Sequence, residues 1–90
     1  MDTKSFNLIQ GTFNPADSQE ILTTIFSDKI SFHQKKNFSS QERFGKNDSV
    51  AENRIPVLEE NLKQIQDLLS SAKASGKDIS ISGEITIAYK

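Results

Sequence analysis

Ile79-Ser80-Ile81-Ser82-Gly83-Glu84-Ile85-Thr86-Ile87-Ala88-Tyr89 carries the pattern that decides the fold. Isoleucine or tyrosine stands at 79, 81, 85, 87 and 89, with Gly83 in the gap. Ser80, Ser82, Glu84, Thr86 and Ala88 fill the positions between them. A period of two with one apolar side is the pattern of a β-strand that buries one face and wets the other. Gly83 breaks the row, which suggests a bulge or a close approach by a helix.

An apolar strand face needs cover, and the residues upstream supply it. Ala51, Ile55, Leu58, Leu62, Ile65, Leu69 and Ala72 recur at alternating spacings of four and three. That is one stripe of a long helix, and Val57 and Leu68 widen it. Gly76 is its natural stop. Ser49-Val50-Ala51-Glu52 fits a capping box at its start. Pro56 lies within the stripe, where it removes a backbone hydrogen bond. The helix either begins near Asp48 and bends at Pro56, or begins at Ile55 with Pro56 in its first position. The unbroken stripe favours the longer helix.

Further upstream, Asn14-Pro15-Ala16-Asp17 marks another helix start. Asn14 caps, Pro15 suits the first helical position, and Asp17 complements the helix dipole. Apolar residues at 21, 22, 25, 26 and 30 follow at helical spacing. This helix is expected to run from Pro15 to about Lys36, with the two lysines in its last turn. The segment from Asn37 to Asp48 then reads as a long connection. Ser39-Ser40-Gln41-Glu42 fits a capping box, and Gly45 a stop, for one short turn from Ser40 to Phe44. Before Asn14, Phe6 to Phe13 reads as a strand of uneven alternation. Phe6 and Leu8 fall on one side, Ile9 and Phe13 on the other.

The expected fold is therefore α+β, a single two-layer β-α-α-β domain over residues 1–90. An antiparallel strand pair, Phe6–Phe13 with Ile79–Tyr89, is covered on one face by a helical hairpin. Both strands are edges, and a two-stranded sheet is marginal. A homodimer would extend the sheet to four strands or pack the long helix on its copy.

Composition narrows the function. The 90 residues carry a net charge of −1, so the whole chain does not attract nucleic acid by charge alone. Cysteine is absent, which excludes disulfides, thiol catalysis and cysteine-ligated zinc. No apolar run reaches the ~20 residues of a bilayer span, and no basic n-region with an apolar h-region opens the chain. A soluble cytoplasmic protein without a membrane partner is expected.

Residues 29–54 stand apart at +3, against −3 for residues 1–28 and −1 for residues 55–90. Lys29, Lys35, Lys36, Arg43, Lys46 and Arg54 lie there with His33, Phe32, Phe38 and Phe44. Cations interleaved with aromatics can bind single-stranded nucleic acid by neutralising phosphates and stacking on bases. These residues are the candidate partner or nucleic-acid surface. The simpler expectation is that the charges are a solvated face and the phenylalanines tuck inward to pin the connection.

His33, the only histidine, is the one acid–base candidate. Its helical neighbours are lysines and glutamine, which supply no acid, though Glu42 or Asp48 could fold back onto it. The simpler expectation is a half-buried histidine at the end of the helix stripe, in sequence with Phe26 and Ile30. Ser39 and Ser40 are explained by capping. Gln10 to Pro15 leads into a helix start that could hold an anion, but Pro15 deletes a donor and Asp17 and Glu20 repel one. Gly45-Lys46 lacks the other glycines of a phosphate loop. No enzyme, cofactor or metal site is expected. The expectation is a small non-enzymatic interaction or regulatory module, homodimeric, meeting a protein partner through its edge strands or central hairpin. The alternative is a nucleic-acid or anion-binding regulator acting through residues 29–54.

Overall fold

The computed structural model describes residues 2–90. It has the order β1 (Thr3–Phe13), α1 (Pro15–Phe44), α2 (Ser49–Ser75) and β2 (Ile79–Ala88). The two strands pair antiparallel as one two-stranded sheet, and the helices form a hairpin. This is the expected α+β arrangement.

Each helix end is set by residues legible in the chain. Asn14 Oδ1 accepts the Asp17 amide at 2.7 Å, and Pro15 opens α1. Gly76, at φ 66°, closes α2, with the Lys77 amide donating to the Ala72 carbonyl at 2.9 Å. The cap of α2 is Asp48, not Ser49: Asp48 Oδ2 accepts from the Ala51 amide at 2.9 Å. The helix runs through Pro56 without ending, as the continuous stripe requires. All seven stripe residues from Ala51 to Ala72 are buried or half-buried.

The connection between the helices differs from expectation. α1 is 30 residues long and continues to Phe44, so Ser39 and Ser40 are helix-interior residues and no capping box forms there. The reason is that nothing between Lys36 and Phe44 stops a helix. Serine favours a cap only where the preceding turn has already ended. Gly45 is the first residue to leave, at φ 67°, its amide donating to the Gln41 carbonyl at 2.9 Å. The loop is thus only Gly45 to Asp48. Side-chain amides lock it: Gln41 Nε2 donates to Asn47 Oδ1 and Asn47 Nδ2 to Glu52 Oε1, both at 2.6 Å. Asn37 Oδ1 accepts the Asp48 amide at 2.8 Å.

A bulge explains the uneven alternation of β1. The register shifts between Asn7 and Ile9, so Phe6 pairs with Ile85 while Ile9 pairs with Gly83. Directly paired residues share a sheet face. The extra residue, Leu8, therefore brings Phe6 onto the same face as Ile9, Gly11 and Phe13. Gly83 marks neither a bulge nor a helix approach, the two expectations for it: the bulge lies on β1, and a Cβ at Gly83 would lie 3.3 Å from Ile9 Cγ2 of the paired strand.

The core is thin and runs along the seam where α1 and α2 pack on each other, reaching the sheet only where α2 ends at Gly76. Ala51, Leu58 and Leu69 of α2 and Ile81 of β2 are its buried apolar residues, with Ile79, Ile9 and Phe13 half-buried at the sheet end. Beyond Gly83 the helical cover stops. Ile85 is 43% exposed, Ile87 59% and Tyr89 78%, against the expectation that this whole row is buried. Val57 and Leu68 are likewise exposed and do not join the core. The radius of gyration is 16.3 Å, where about 12 Å suits a compact chain of this length.

Candidate functional site

Two surfaces are candidates. The first is the basic segment. The structure turns Phe32, Phe38 and Phe44 outward, with 50%, 60% and 69% of their surface exposed, against the expectation that they tuck inward. The reason is the unbroken helix. Spaced six residues apart, successive phenylalanines turn 240° around α1 and point in three different directions. They therefore do not form one stacking platform.

Only Phe32 gathers cations. Lys29 Nζ lies 5.1 Å and Lys36 Nζ 5.9 Å from its ring centre. These are its neighbours at three and four residues along the helix. Arg43 is one further seven-residue step along that line. Lys35 lies on an adjoining line of α1, Lys46 in the loop and Arg54 on α2, all exposed. His33 leaves the group altogether. It is 6% exposed, edge-on to Phe32 at 5.4 Å, and its buried Nε2 has no hydrogen-bond partner. No carboxylate orients that nitrogen. Among the described residues, no group of three or more His, Cys, Asp or Glu is placed to hold a metal ion.

The second surface is apolar. On the bare half of the sheet Phe6, Ile85, Ile87 and Tyr89 share one face with Lys4, and Phe6 is 54% exposed. Toward the core this row meets an open groove of about 620 Å³ between α2 and β2. Ile65, Leu68, Leu69 and Ala72 line one wall, Ile79 and Ile81 the other. Leu68 in that wall is 69% exposed, and no β1 residue lines the groove, so it flanks β2 alone. Nothing in the sequence ranked these residues as surface, because period two reports a buried face without saying how far its cover extends. One signal was present: Lys4 pairs with Ile87, so the distal face holds a cation no core would accept.

A third concavity lies where the start of α1 meets the end of α2, lined by Asn14, Gln19, Ser70, Lys73, Lys77 and Asp78 among others. Its charged groups are ordinary helix-end residues, and no buried polar atom is aimed into it. Among the described residues no helix is long and apolar enough to cross a membrane. No protein-family model matches the chain, and comparisons with curated proteins and with solved structures yield no match.

Proposed function

We propose that this chain is a non-enzymatic protein-interaction module that works as a homodimer. One observation carries the proposal. The chain exposes 6971 Å², whereas a compact monomer of 10.1 kDa exposes about 5,300 Å². Part of what is exposed is apolar: Phe6, Leu68, Ile85, Ile87 and Tyr89 are 43–78% exposed, and a second copy could cover them. Two copies that each hid the excess would bury about 3,400 Å² together, within the range of obligate homodimers. Equilibrium sedimentation at micromolar concentration tests this: a species of twice the chain mass supports it, and a folded monomer contradicts it.

A second reading has its own observation. Phe32, half-exposed between Lys29 and Lys36, is a small cationic–aromatic site of the kind that meets a phosphate and a base. It predicts salt-dependent oligonucleotide binding that is lost on charge reversal of Lys35, Lys36 and Arg43. Absence of binding to single-stranded or duplex oligonucleotides at low salt removes it. The divergent directions of Phe38 and Phe44 weigh toward the first reading.

A further inference from the structure

We infer that the second copy docks by pairing β2 with β2 of its partner, antiparallel about a two-fold axis at Gly83, to give one four-stranded sheet. This rests on the homodimer reading and specifies its interface.

The two free edges are not equivalent. β1 carries the bulge between Asn7 and Ile9, which breaks a ladder and twists an edge away from pairing. β2 carries no extra residue in this pairing and is the strand that the α2 groove flanks. Its outer edge is the one suited to receive another strand.

Register follows from parity and charge. Directly opposite residues share a face, so the apolar row stays on one side only if the axis falls on a residue. An axis at Glu84 sets two carboxylates opposite each other, which is destabilising. An axis at Gly83 sets Glu84 opposite the partner's Ser82, and Thr86 opposite the partner's Ser80. On the apolar face it sets Ile85 beside the partner's Ile81, and Ile87 beside the partner's Ile79.

That register also resolves the uneven cover. In one protomer Ile79 and Ile81 lie under the helices while Ile85 and Ile87 are bare. Antiparallel pairing places each copy's bare half next to the other's covered half. Ile85 and Ile87 then enter the groove walled by the partner's Ile65, Leu68 and Leu69. The exposed Leu68 is covered in the same step.

The absence of cysteine makes disulfide trapping a clean test. S82C and E84C copies, one enlarged by a tag, are co-expressed and oxidised with a copper catalyst. Both positions are exposed, so neither substitution disturbs the core. The mixed S82C–E84C disulfide is expected to form at least tenfold faster than S82C or E84C homodimers, whose sulfurs lie diagonally. Q10C, on β1, is expected to trap no faster than a collision control. A wild-type dimer mass without preferential S82C–E84C trapping overturns this docking and leaves the homodimer standing. A wild-type monomer mass overturns both.

Discussion

Ser18 has no exposed surface, and its Oγ finds no hydrogen-bond partner. A buried hydroxyl without a partner costs more than the hydrogen bond it lacks. Ser18→Ala also improves helix propensity, so it is expected to stabilise the protein by about 0.5–1 kcal/mol in urea unfolding. Any loss of stability would mean that the hydroxyl is satisfied. His33 poses the same question on the same helix. If it is packing and not chemistry, His33→Leu removes an orphaned Nε2 and stabilises the fold by about 1 kcal/mol, read as a raised urea midpoint. The sequence made His33 conspicuous by being alone. Its place at the end of the helix stripe, in sequence with Phe26 and Ile30, already favoured a half-buried ring, and the structure buries it further, to 6% exposed. The exposure of Phe38 was missed because it depends on helix phase, and a loop was expected there.

At the scale of elements, caps and stops were the most legible features. Asn14, Gly45 and Gly76 each act where the residue type suggests, because a cap is a local contact within one turn. Asp48 does the same for α2, and Asp48→Ala is expected to cost about 1 kcal/mol, read as a lowered urea midpoint. Pro56 is the counterweight. It leaves the Glu52 carbonyl without its helical donor, so Pro56→Ala is expected to stabilise the fold by about 1–3 kcal/mol, raising the midpoint in the same titration. A fall instead would show that a bend at Pro56 is needed to seat the helix. The length of α1 was underestimated because serines that cap well also sit in helices when no stop precedes them. The bulge was visible only as a flaw in the alternation of β1. Its place needed the partner strand.

The whole molecule is where sequence reading ran shortest. Order, strand direction and the two-layer plan followed from periodicity. How much of the sheet the helices cover did not, since that is set by how the hairpin and the sheet diverge. The outcome is a chain with extents of 50 × 34 × 15 Å and an apolar face left open. Ile85 lies on that face away from the core, so Ile85→Lys is expected to weaken self-association at least tenfold and leave the circular dichroism of the monomer intact. If two copies form the folded unit, thermal stability also rises with protein concentration. The most direct test is the mass of the wild-type protein by equilibrium sedimentation across the micromolar range. A species of twice the 10.1 kDa chain mass is predicted. A folded, stable species at 10.1 kDa throughout would contradict the account.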